Sequence, residues 1–230
     1  MLQDPNNLVR QNRNVAPARG RAAAEISFVV LCVLAAEWAV IPVFGRDKRI
    51  GMIPIAAVLI FTFLSHRRRG ESASEIGLTR RHFWEALRSL LPWMIPAAAF
   101  ILTMGAILGS LHYRGPKSWE AILLAQFWLF LWGLMQQYAL QAVVNRRAQE
   151  ICGKGWWSIL MAALVFGFLH LPNVWLTAAT LAAGVLWAAV YQKAPNLFAL
   201  AISHSLMTTV LASSISPAVL HGMRVGYNYF

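Results

Sequence analysis

Apolar residues fall in long blocks along the chain, separated by short polar connections. The blocks lie at about 26–44, 50–65, 91–110, 120–145, 156–171, 173–191 and 196–215. Within them the apolar positions follow a helical period, without the strict alternation of a membrane barrel strand. Several blocks reach the roughly 20 residues that a bilayer-spanning helix needs. The blocks 50–65 and 156–171 are shorter, which suits a tilted or partly inserted helix. The pattern predicts an all-α fold, a polytopic transmembrane helix bundle of about seven spans, with six to eight as the range. Residues 1–22 read as a flexible, basic, cytoplasmic N-terminal segment, 23–215 as the bundle and 216–230 as a short tail. Residues 72–91 read as a connection leading into an amphipathic turn. There Ser72 or Ser74 would act as the cap, and Phe83, Trp84, Leu87 and Leu90 would lie on the membrane surface.

Composition strengthens the membrane reading. Of the 230 residues, 58% are hydrophobic, and the mean hydropathy is +0.54. A soluble domain of this length has no core large enough to hide that much apolar surface. Two cysteines, Cys32 and Cys152, are too few for a disulfide framework, and Cys32 reads as a small core residue. The N-terminal segment lacks the apolar stretch and cleavage site of a signal peptide, so the first span is expected to stay as an anchor.

The net charge of +11 would point to nucleic acid in a soluble protein. Here the cations flank the spans. Arg10, Arg13, Arg19 and Arg21 precede the first span, and six arginines from Arg67 to Arg88 lie between the second and third. Arg146, Arg147 and Lys154 follow the fourth, and Lys193 follows the sixth. By the positive-inside rule this places the N-terminus in the cytoplasm, with the protein integral to the cytoplasmic membrane. Arg46, Lys48, Arg49, Arg114, Lys117 and Arg224 would then lie on the opposite side. The expected partners are the lipid bilayer and a membrane-associated peptide or protein, not nucleic acid.

Polar groups inside spans are the informative ones, because each costs free energy in lipid. They are Glu37, Gln126, Gln136, Gln137, Gln141, His170 and His204, with hydroxyls around the last. At about 1.5 Å per residue, Gln136 lies roughly 15 Å from its cytoplasmic end, His204 roughly 16 Å, His170 roughly 20 Å and Glu37 at most about 24 Å. Four spans thus bring polar groups to one level, which predicts a shared cavity. His66, His82, His112 and His221 lie at span ends or in loops and are expected to be solvated.

The order "QQYALQ" (136–141), "FGFLH" (166–170) and "HSLMT" (204–208) resembles the CAAX-protease and bacteriocin-processing (CPBP, or Abi) family of intramembrane metalloproteases. That family carries Glu-Glu-x-x-x-Arg, then Phe-x-x-x-His, then His-x-x-x-Asn or Asp on successive helices. Phe166 and His170 match the second motif, and His204 matches the start of the third. The resemblance implies an intramembrane metalloendopeptidase that cleaves peptide bonds of membrane-associated substrates. It also implies a possible zinc ion held by His170, His204 and the position of Thr208, with Phe166 supporting.

The departures fall on the chemistry. Gln136 and Gln137 stand at the glutamate positions, Gln141 at the arginine position and Thr208 at the Asn/Asp position. In the family the first glutamate activates the attacking water. An amide cannot accept that proton in the working range. Loss of the glutamates is matched by loss of the arginine that would have paired with them, as expected of a site rewritten in neutral form. Gln137 and Gln141, four apart, are expected to bond each other, with Gln126 on the same face. Glu37 is the one carboxylate left within the spans and the candidate substitute base or ligand. Two readings follow: a CAAX-type peptidase with an altered site, or a catalytically inactive relative that binds a peptide, lipid or partner.

Overall fold

The fold is given by a computed structural model that describes residues 5–44, 48–112, 115 and 118–230. Among them there is no strand. The helices are α1 (Pro5–Ala35), α2 (Ile41–Phe44), α3 (Lys48–Arg69), α4 (Phe83–Ile107), α5 (Trp119–Gln137), α6 (Arg146–Cys152), α7 (Trp156–Phe168), α8 (Val174–Lys193), α9 (Leu197–Ser214) and α10 (Pro217–Leu220). Two joints between them are π-helical: Ala36–Val40 joins α1 to α2, and Tyr138–Asn145 joins α5 to α6. Four stretches are long and apolar enough to cross a membrane: Ala18–Phe44, Phe83–Ile107, Val174–Lys193 and Leu197–Ser214. Helix α7 is apolar but shorter. The molecule is a helical membrane bundle. Phe28, Trp93, Phe100 and Trp128 are exposed on its outer surface, as expected of side chains that face lipid.

Two boundaries differ from the expectation. Helix α1 already begins at Pro5, so residues 5–22, read as flexible, are helical. Residues 83–90 form the first turns of α4 and not a separate surface turn, because Ala86 and Leu90 are fully buried against the bundle. Ser72 bonds Glu75 within the preceding loop. The cations Arg46, Arg114 and Lys117 lie outside the described residues.

Helix ends are closed by side chains. Ser118, Asn173 and Asn196 accept hydrogen bonds from the amides of Ala121, Leu176 and Ala199, capping α5, α8 and α9. The amide nitrogen of Asn196 also donates to the carbonyls of Thr79 and Arg81, and Tyr191 donates to the carbonyl of Ile76. These bonds tie the 70–82 loop to the starts of α9 and the end of α8. Helices α7 and α8 pack closely where Gly184 faces Ala163. A Cβ at Gly184 would lie 3.0 Å from the Ala163 Cα and 3.5 Å from the Phe166 ring. Small residues allow this approach, as is common between membrane helices.

One end of the bundle is held by charge. Arg147 is fully buried and donates to Glu25 at 2.6 Å, to Glu71 at 2.8 Å and to Glu150 at 2.9 Å. Arg69 bridges Glu25 and Glu150, and Arg146 pairs with Glu71. Three arginines meet three carboxylates, so the cluster is balanced, and it docks α1 and α3 on α6. Burial pushes the Glu71 carboxyl up, but hydrogen bonds from Arg147, His66 and Arg146 outweigh it and hold that carboxyl well below the usual range. His66 is buried here with Nδ1 on Glu71. It was expected to be solvated; the fold of the 70–82 loop over the end of α3 covers it.

Candidate functional site

The site is assembled where α5, α7 and α9 meet. Gln136 and Gln137 close the last turn of α5, just before the chain widens into the π-helical Tyr138–Asn145. His170 sits in the turn after α7, and His204 lies in the middle of α9. Gln136, His170, His204 and Thr208 line one cavity of about 650 Å³, with Ser203 and Trp187 among its other walls. That volume falls within the range of small-ligand sites. Glu37, on the π-helical turn after α1, lines a second cavity of about 180 Å³. Gln136, His170, Trp132 and Val225 belong to the walls of both.

Hydrogen bonds fix what each ring offers. His170 Nδ1 lies 2.6 Å from the carbonyl oxygen of Phe166. A carbonyl only accepts, so the proton is on Nδ1 and Nε2 carries a lone pair. The Gln137 amide nitrogen lies 3.4 Å from His204 Nδ1. The contact is long, and the other end of that amide, Gln137 Oε1, is buried without a partner. The Phe166 ring meets His170 edge-on at 4.8 Å and His204 at 6.0 Å. Trp187 stacks on His204 at 4.7 Å between centroids, and its indole N–H donates to Ser203 Oγ. His170 thus offers an acceptor at Nε2, and an aromatic ring packs against each imidazole. A neutral N–H donor, such as a peptide amide, complements His170.

The glutamines do not bond one another. Gln141 Oε1 accepts from Asn145 at 2.8 Å, and Asn145 continues to Gln192 and through it to Ser158. The expected Gln137–Gln141 pair is absent because the π-helical widening begins directly after Gln137 and turns Gln141 away. Gln126 Oε1 accepts from Thr209 on α9 and does not join Gln137. Glu37 is half-buried, with no hydrogen-bond or ion-pair partner among the described residues. Trp187, Asn173 and Val225 were not singled out from the sequence. Asn173 follows the "FGFLH" stretch by three residues, while nothing in the pattern distinguishes Trp187 from nine other tryptophans.

The model of the family described as type II CAAX prenyl endopeptidase Rce1-like matches residues 119–210. This segment is similar to that family. It runs from the start of α5 into α9 and contains Gln136, Gln137, Gln141, Phe166, His170, His204 and Thr208. The match agrees with the motif order, and it covers less than half of the chain. Neither the curated proteins nor the solved structures compared with the chain give a match.

The donor set of this segment is poor for zinc. A catalytic zinc site takes three protein ligands, usually histidine, carboxylate or cysteine. Among the described residues no group of three such side chains is placed to hold a metal ion. Moreover, the amides at 136 and 137 are weak neutral ligands.

Proposed function

We propose that this protein is a membrane-embedded, protease-type protein of CAAX-protease ancestry whose cleft binds an extended peptide segment of a membrane-associated partner without hydrolysing it. The single observation that carries this reading is the Gln137 amide against His204, at the position where the family has a carboxylate. A base must take a proton from water, and loss of a general base alone removes about 10²–10⁴ in rate. The cleft is correspondingly neutral. His170 Nε2 receives an N–H, and the apolar walls take side chains and exclude water. The positive-inside pattern supports a cytoplasmic N-terminus in the cytoplasmic membrane.

A second reading, an active endopeptidase, is favoured by one observation: Glu37 shares a cavity with Gln136 and His170. In that case Glu37 would supply the base. The test is hydrolysis of a fluorogenic peptide tethered in liposomes that contain the purified protein. The binding reading expects saturable binding of the peptide and cleavage at background. Cleavage that Glu37→Gln and His204→Ala both abolish, with the proteins still folded, would establish the second reading.

A further inference from the structure

The cleft already holds a stretch of its own chain. Arg224 and Val225 are extended, with φ/ψ of −74°/147° and −133°/170°. They are held through their backbone and that of their neighbours. The amide of Gly226 donates to the carbonyl of Leu171 at 3.0 Å. The side-chain nitrogen of Asn173 donates to the carbonyls of Leu220 at 2.7 Å and Arg224 at 3.1 Å. Asn173 is 1% exposed, and its oxygen meanwhile caps α8. Val225 lines both cavities, as do Gln136, His170 and Trp132. Main-chain bonds together with one side chain in a pocket are how an extended peptide is recognised.

The segment is also held in a costly shape. His221 and Met223 are non-glycine residues with left-handed φ of 49° and 59°, on either side of Gly222 at 63°. Gly226 has φ +57° and sits against Glu37, where a Cβ would lie 2.5 Å from the Glu37 Cβ. Only glycine fits that point on both counts.

We propose that Leu171 O, Asn173 Nδ2 and the Val225 pocket form a backbone-reading subsite for an extended peptide with one aliphatic side chain, and that residues 221–226 occupy it as a displaceable internal ligand. The proposal rests on the peptide-binding reading above and adds its regulation: the ligand enters where the strap leaves. Binding is then a competition, so the strap weakens every peptide by the fraction of time it is seated.

The test has two arms, both on the full chain in detergent micelles. The first follows alkylation of Cys32, which lines the smaller cavity, with exposed Cys152 as an internal control, by N-ethylmaleimide and mass spectrometry. Asn173→Ser keeps a capping oxygen but removes the bond to Arg224 in the strap and that to Leu220 just before it. Gly226→Ala displaces it from Glu37. Each is expected to speed Cys32 alkylation about tenfold, leaving Cys152 and the helical circular dichroism unchanged. Rates within twofold of wild type in both variants would overturn a displaceable strap, whatever the cleft binds. The second arm measures fluorescence anisotropy of a labelled synthetic peptide copying residues 221–230. It is expected to bind Gly226→Ala about tenfold more tightly than wild type, and to lose that binding when its own valine is changed to aspartate. If Cys32 opens and the peptide still does not bind, the subsite is refuted while the general binding cleft stands. If the peptide with aspartate binds equally well, the valine pocket is refuted.

Discussion

The Gln137 amide nitrogen lies 3.4 Å from Nδ1 of His204, so the imidazole that the motif order singles out faces a neutral amide. Around this pair Gln136, His170 and Thr208 complete a cavity wall without a single carboxylate, and Glu37 reaches only the adjoining cavity. The consequences are best drawn by changing charge.

Restoring the charges is expected to restore metal affinity before turnover. Gln136→Glu with Gln137→Glu and Gln141→Arg places carboxylates beside two imidazoles and supplies a balancing cation. Zinc retained after dialysis is expected to rise at least severalfold over wild type. The single Gln136→Glu is expected to lower the melting temperature more than the triple variant, because its new charge has no partner in the membrane.

Arg147→Met is expected to destabilise the protein by about 3–5 kcal/mol, since it leaves Glu25, Glu71 and Glu150 facing one another with one cation fewer. Arg147→Lys should recover only part of this, because an ammonium cannot replace a guanidinium that donates to three carboxylates. Thermal unfolding followed by circular dichroism reads both.

The same cluster sets the acid limit of stability. Glu71 has a folded-state pKa below its unfolded value, so its contribution is fully present above the unfolded pKa of about 4.3 and is lost as pH falls below it toward the folded value. The melting temperature is expected to be flat above about pH 5 with respect to this group and to fall beneath about pH 4. Glu71→Gln should be less stable at neutral pH and lose less on acidification. An acid limb unchanged in Glu71→Gln would show that other carboxylates govern it.

Gly184→Ala is expected to cost about 1–3 kcal/mol, because its methyl would lie 3.0 Å from the Ala163 Cα and 3.3 Å from its Cβ. Thermal unfolding followed by circular dichroism reads the loss.

The helices and the meeting of Gln136, His170 and His204 were legible in the sequence. Apolar period reports burial in lipid, and motif spacing on successive helices brings the polar positions to one depth. Gln141 was misplaced because a π-helical segment changes the residue count per turn, and nothing in "YALQAVVN" announces it. Glu25 was overlooked because it sits at a span edge, where a carboxylate looks solvated until Arg147, 122 residues away, is seen to meet it. The strap was equally hidden: its contact with Asn173 depends on the turn after His170 and on left-handed backbone at residues 221–223, which side-chain pattern does not encode.

Metal content of the purified wild-type chain is the most direct measurement of the central claim that the cleft is neutral and binds without hydrolysing. After purification in zinc-containing buffer and dialysis against buffer without chelator, mass spectrometry of the elements is expected to find well under one zinc per chain, unchanged in His170→Ala and His204→Ala. One zinc per chain, lost in both histidine variants, would contradict it and place an active metallopeptidase site here.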